Sequence, residues 1–234
     1  MQPAHADLLA IIPTYPQAAH AGFAAQAAAV ARHLGAQVHA LVLEPDFPPV
    51  ASALGNLLID APALIGGART QCRQAGDAVV KALASALDSA HVPMRTTRVD
   101  VHPGAETDTV PHVARYHDLA MLGLPGGQEG DSSQRALAEA LVFGAGRPVL
   151  LLPEGQPSTP CTRVLIAWDG SRAAARAVAD ARPFLQRAEA MTVVCVTQDK
   201  ALPAADPGGQ LARHLQTWGV RADIHEVPRA DQSV

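Results

Sequence analysis

One pattern occurs twice in this chain. The apolar run Asp7-Leu-Leu-Ala-Ile-Ile-Pro13 is followed by a helix and a second apolar strand, and Arg163-Val-Leu-Ile-Ala-Trp-Asp-Gly-Ser171, offset by 156 residues, starts the same series again. Continuous apolar runs of this length suit strands buried on both faces of a parallel sheet. In the first copy, strands are predicted at Leu8 to Ile12, Gln37 to Leu43, Met94 to Val101, Asp118 to Leu122 and Pro148 to Leu152. Between them the predicted helices are Gln17 to Leu34, about Gly66 to Ala90, Gly104 to Tyr116 and Ser132 to Phe143, with Glu44 to Pro49 as a loop. Strictly alternating strands and helices require right-handed crossovers, so the predicted fold class is α/β. It is an open, Rossmann-like parallel sheet of five strands, order 3-2-1-4-5, with helices on both faces.

The first domain is therefore placed at residues 1–153, a linker rich in proline and polar residues at 154–162, and a second copy at 163–234. In the second copy the strands are predicted at Val164 to Trp168, Met191 to Val196 and Arg221 to Val227, and the helices at Ser171 to Ala188 and from Asp206 to about Trp218. The sequence stops at Val234 before a fourth strand, glycine loop, last helix or fifth strand. The second copy is expected to be partial, with Val164 to Trp168 as an edge despite its apolar composition.

Composition narrows the function classes. A net charge of −4 with no Lys/Arg block gives no electrostatic footprint for nucleic acid. No apolar run of about 18 residues occurs, and the N-terminus lacks the basic and apolar regions of a signal peptide, so a cytoplasmic protein is expected. Cys72, Cys161 and Cys195 form no C-x-x-C pair, and His112 and His117 are not at the i, i+4 spacing of a helical ligand pair, so no metal site is predicted. Gly-x-Ser-x-Gly, Walker A and Gly-x-Gly-x-x-Gly motifs are absent. The acidic pairs Glu226/Asp231 and Glu106/Asp108 read as solvated surface, and no catalytic residue is assigned.

The segment Val164-Leu-Ile-Ala-Trp-Asp-Gly-Ser-Arg-Ala-Ala-Ala-Arg-Ala-Val178 resembles the opening of a universal stress protein domain. The whole chain resembles the tandem members of that family, down to Arg147-Pro-Val-Leu-Leu-Leu-Pro153 closing the first half. The resemblance implies pairing through the last strand, here Val149, Leu150 and Leu151, hence a homodimer, and in many members bound ATP, with Mg as companion ion. In the ATP-binding branch an Asp ends the first strand, and Gly-x-x-Gly, nine residues and Gly-Ser/Thr follow the fourth. Glycines there let backbone N–H groups approach phosphate oxygens.

Here Gly123-Leu-Pro-Gly126 matches the first glycine element, but Ala136 and Leu137 stand at the second, and Pro13-Thr14-Tyr15 stand where the second copy has Asp169, Gly170 and Ser171. Gly123, Gly126, Gly127 and Gly130 read equally as a plain glycine-rich turn, and Asp169 or Ser171 as a helix cap. The resemblance thus implies a stress-response regulatory or interaction protein, acting through domain pairing and protein partners, with nucleotide binding weak or lost. The alternative is an adenine-nucleotide-binding member, with slow ATP hydrolysis, whose site needs residues beyond Val234.

Overall fold

The computed structural model describes residues 6–48, 61–126, 132–159, 161–197 and 206–229; Gly127, Gly130 and Asp231 of the readings above lie outside the described residues. The chain divides into two compact units, Met1–Thr159 and Pro160–Val234.

In the first unit the elements run β1 (Asp7–Pro13), α1 (Phe23–Leu34), β2 (Gln37–Pro45), α2 (Ala61–Asp88), β3 (Met94–Val101), α3 (Glu106–Ala114), β4 (Leu119–Leu124), α4 (Ser132–Gly144) and β5 (Val149–Pro153). All strand pairs are parallel and the order is β3-β2-β1-β4-β5, as the alternation of elements predicts. Central β1 is buried on both sides, with Leu8 through Ile12 inaccessible to solvent or nearly so. One face carries a cluster of Leu9, Ile11, Leu41, Leu43, Ala120 and Leu122 packed under Val110 and Ala114 of α3 and Leu137 and Leu141 of α4. At about 1.5–3 kcal/mol for each large side chain fully buried, this face is a principal source of the unit's stability. Helices α1 and α2 pack on one another; Gly35 ends α1 in the left-handed conformation (φ 64°) that an L side chain resists.

Several boundaries depart from the sequence reading, among them the start of α2, which lies at Ala61 rather than about Gly66. Helix α1 starts at Phe23 rather than Gln17, because the chain after Pro16 first turns back, the Ala19 N–H bonding the Pro13 carbonyl (3.1 Å). Strand β2 continues through Glu44 and Pro45 instead of ending at Leu43. Glu44 is tolerated there, buried, because Arg73 and Arg98 hold its two carboxylate oxygens at 2.9 and 2.6 Å.

The second unit contains β6 (Arg163–Ala167), α5 (Arg172–Asp180), α6 (Arg182–Leu185), β7 (Ala190–Thr197), α7 (Pro207–Gln216) and β8 (Asp223–Pro228). The predicted continuous helix from Ser171 to Ala188 is in fact two, broken at Ala181. Pro183 supplies no N–H to continue the first helix and starts the second. The sheet is parallel, order β6-β7-β8, so β6 is an edge. Its core is one-sided: Ile166, Met191, Val193 and Cys195 pack with Val178, Leu185, Leu211 and Leu215 of the three helices.

Among the described residues nothing covers the opposite face. Leu165, at the position of Leu9, is 64% exposed where Leu9 is 0%. The registers coincide, since Ile11 pairs with Leu41 as Ala167 pairs with Val194, and Val196 pairs with Val227. Leu165, Val196 and Val227 are all exposed. They occupy the surface that α3 and α4 cover in the first unit.

Candidate functional site

In open α/β sheets, ligand clefts form beyond the carboxyl ends of the strands where the order reverses. In the first unit β1 lies between β2 and β4, and a cleft of about 460 Å³ opens at that position. It is lined by Pro13, Tyr15 and Pro16 after β1, by Gly104, Glu106 and Thr107 at the start of α3, and by Ser133 and Gln134 at the start of α4. The corner after β1 is apolar and fixed. The Thr14 hydroxyl donates to the Leu43 carbonyl (2.6 Å), and the Tyr15 ring stands edge-on to Phe47 at 5.0 Å. Among the described residues no carboxylate occupies it. The acid that does line the cleft, Glu106, sits on the α3 side, taking the Gly104 N–H at 2.7 Å.

The two predicted glycines have protein partners of their own. A Cβ on Gly123 would lie 3.0 Å from the His20 ring and 3.1 Å from Phe23. His20 is itself held there by an Nε2–H donated to the Leu152 carbonyl at 2.9 Å. Gly123 is therefore favoured by packing. The Gly126 N–H is given to the Glu154 carboxylate at 3.0 Å. The chain after β5 is anchored there: the Glu154 N–H bonds the Leu124 carbonyl (2.9 Å), and the Gln26 amide bonds the Pro153 and Gln156 carbonyls (2.9 and 3.0 Å). An incoming anion would meet a carboxylate already in its place.

In the second unit the Asp169-Gly170-Ser171 corner is one compact turn. Asp169 Oδ1 accepts the Ser171 N–H at 2.9 Å, the Ser171 hydroxyl caps α5 by accepting the Ala174 N–H at 3.1 Å, and Gly170 takes φ 70°. The corner borders a cleft of about 470 Å³, which Leu165, Ala167, Val194 and Val196 of the exposed face also line. Trp168 closes one side, its indole N–H on the Pro207 carbonyl at 3.0 Å. Asp169, Gly170 and Ser171 are thus brought together as a capped strand-to-helix turn. Gly123 and Gly126 lie at the end of β4 in the other unit.

Sequence reading missed the charged set at the ends of β2 and β3. Burial acts to raise the Glu44 carboxyl, but hydrogen bonds from Arg73 and Arg98 outweigh it and hold it below its ordinary value. Arg98 also bridges to Asp77, and Asp46 pairs with Arg69 at 3.0 Å. These side chains neutralise one another. A charged residue directly after an apolar strand was the available signal, read instead as the start of a loop. Burial pushes the Cys72, Cys161 and Cys195 thiols up, against nucleophilic use. Among the described residues no group of three or more His, Cys, Asp or Glu could hold a metal ion, and no helix is long and apolar enough to cross a membrane.

No protein-family model matches the sequence, and no curated protein matches it. Solved structures do. A universal stress protein from Archaeoglobus fulgidus DSM 4304 superposes with a TM-score of 0.63 at 13% identity, covering 95% of this chain and 79% of that one. A protein assigned to the universal stress proteins of Pseudomonas aeruginosa UCBPP-PA14 superposes with a TM-score of 0.51 at 17% identity, covering 96% of this chain and 75% of that one. The strand order, the parallel pairing and these superpositions agree: the chain has the α/β fold of universal stress proteins, a five-stranded sheet in its first unit and a three-stranded one in its second.

Proposed function

We propose that this chain is a regulatory interaction protein of the universal stress type, acting through pairing with a second copy and contacts with protein partners, in which adenine-nucleotide binding has become weak or lost. The observation that carries the reading is the Glu154 carboxylate on the Gly126 N–H. A loop that would bind phosphate instead binds its own chain, and Pro13-Thr14-Tyr15 supplies no acid opposite it. Fold alone does not assign an activity, so the argument rests on these residues.

Calorimetric titration of the chain with Mg-ATP is expected to give a dissociation constant of about 0.1 mM or weaker. A micromolar constant, or ATP carried through purification, overturns the proposal. Two substitutions locate any residual binding. Asp169→Ala weakens it only if the second unit is the site. Gly126→Val, whose Cβ would stand 3.4 Å from the Glu154 carboxylate, weakens it only if the first is.

Pairing has its own geometric support. Strand β5 bonds only β4 in its sheet. The bonds from Ala120 N–H to the Pro148 carbonyl and from Glu154 N–H to the Leu124 carbonyl fix which β5 residues face β4. Alternation along a parallel strand then turns the N–H groups of Val149 and Leu151 outward. Light scattering is expected to show a dimer at tens of micromolar. Val149→Pro, which removes one outward donor and leaves the β4 ladder intact, shifts it to monomer. A native monomer, or a dimer indifferent to Val149→Pro, counts against pairing through this edge.

A further inference from the structure

At the amino ends of the strands, opposite the cleft, two buried histidines meet. His39 on β2 and His117, in the turn between α3 and β4, are 9% and 5% exposed, and His39 Nδ1 lies 2.8 Å from His117 Nε2. Only one proton can sit between two nitrogens at that distance, and the surrounding partners decide whose it is. His117 Nδ1 is 3.0 Å from the Val113 carbonyl, an acceptor only, so this nitrogen carries its hydrogen and Nε2 is the bare one. The shared proton therefore belongs to His39 Nδ1. His39 Nε2 is then bare and takes the Thr97 hydroxyl hydrogen at 2.9 Å. The result is a directed relay: Thr97 on β3, His39 on β2, His117, and the last turn of α3.

The charged groups around the relay leave little room for another proton. Arg95 of β3 places Nη2 3.2 Å from both facing nitrogens while its guanidinium pairs with Asp7 of β1 at 3.0 and 2.7 Å. Asp7 Oδ2 is 3.8 Å from His117 Nε2, and Asp118 is committed to the Asp7 N–H at 2.8 Å. From α3 the relay receives the Val113 carbonyl. An added proton on His39 Nε2 would reverse the Thr97 bond and put an imidazolium next to Arg95.

We propose that the His39–His117 pair is an acid-sensitive latch that holds the C-terminal end of α3 on the sheet, and that proton uptake releases it. The N-terminal end of the same nine-residue helix, at Glu106 and Thr107, lines the cleft of the first unit, so release of one end alters the other. The inference is independent of whether nucleotide binds. Its direction follows from His39: burial first, then the charges of Arg95 and His117, hold it below its ordinary 6.5, with Asp7 opposing. The unfolded chain accepts a proton there that the folded chain refuses. The stabilisation is therefore complete above pH 6.5 and is lost as pH falls below it.

The test uses the full chain with isotope-labelled histidine, followed by NMR from pH 8 to 5 alongside amide hydrogen exchange corrected for intrinsic rates. His39 is expected to take up its proton at lower pH than free histidine and to hold the neutral Nδ1–H form until then. Protection of Val110 to Ala114 falls at least about tenfold as His39 takes up its proton, while Leu8 to Ile12 of β1 changes less. His39→Gln/His117→Gln removes that pH dependence of α3. Should this variant fail to fold, the native titration decides alone. Titration of His39 at or above 6.5, or α3 protection that does not follow it, overturns the latch.

Discussion

Leu9→Ala is expected to destabilise the first unit by about 2–5 kcal/mol, the cost of a cavity in a packed core, whereas Leu165→Ala changes the second unit by no more than about 0.5 kcal/mol. The two residues hold equivalent places in equivalent strands and differ in what covers them. Leu9 is enclosed beneath α3 and α4, while Leu165 faces solvent. The chain supplies its own probes, because both tryptophans, Trp168 and Trp218, lie in the second unit and both tyrosines, Tyr15 and Tyr116, in the first. Urea unfolding followed by tryptophan fluorescence reports the second unit, and far-UV circular dichroism reports both. Equal losses for the two substitutions would show that the face carrying Leu165 is buried in solution.

Hydrogen exchange is expected to separate the units further. Amides of Val164 to Trp168 should be at least about tenfold less protected than those of Leu8 to Ile12, because β6 has a neighbour on one side only and apolar cover on one face only. A three-stranded sheet closed on one side buries a small core, and units of this size are marginal even when covered on both. Equal protection of the two strands would mean that an additional contact completes the second unit.

Much of this architecture was legible because Leu8 to Ile12 and Leu119 to Leu124 are apolar runs and Ala40 to Leu43 a shorter one, the pattern of strands covered on both faces of a parallel sheet, and because helices alternate with them. The repeat then placed β6 by analogy. What escaped were features decided by distant partners. Glu44 looked like the start of a loop because its two arginines lie 29 and 54 residues further on. The break at Ala181 was hidden in an alanine-rich run, where Pro183 was the only warning. The functional corner was half legible. The Asp169-Gly170-Ser171 turn forms the local cap its residue types favour, but nothing near Gly126 in sequence announces that Glu154 will take its N–H. His39 and His117 lie 78 residues apart, and no spacing rule joins them.

The contact between His20 and Gly123 bears on how such a chain changes over time. Any side chain at position 123 would crowd a ring pinned to the Leu152 carbonyl, its Cβ at 3.0 Å from that ring, so glycine there is favoured by packing whether or not a phosphate ever approaches. Selection on fold stability alone would preserve half of a ligand signature. Gly126, whose added Cβ would meet only the Glu154 side chain at 3.4 Å or beyond, is under weaker steric constraint and free to drift. The two glycines are therefore expected to part company among descendants of this sequence, the first persisting through its packing and the second varying more freely.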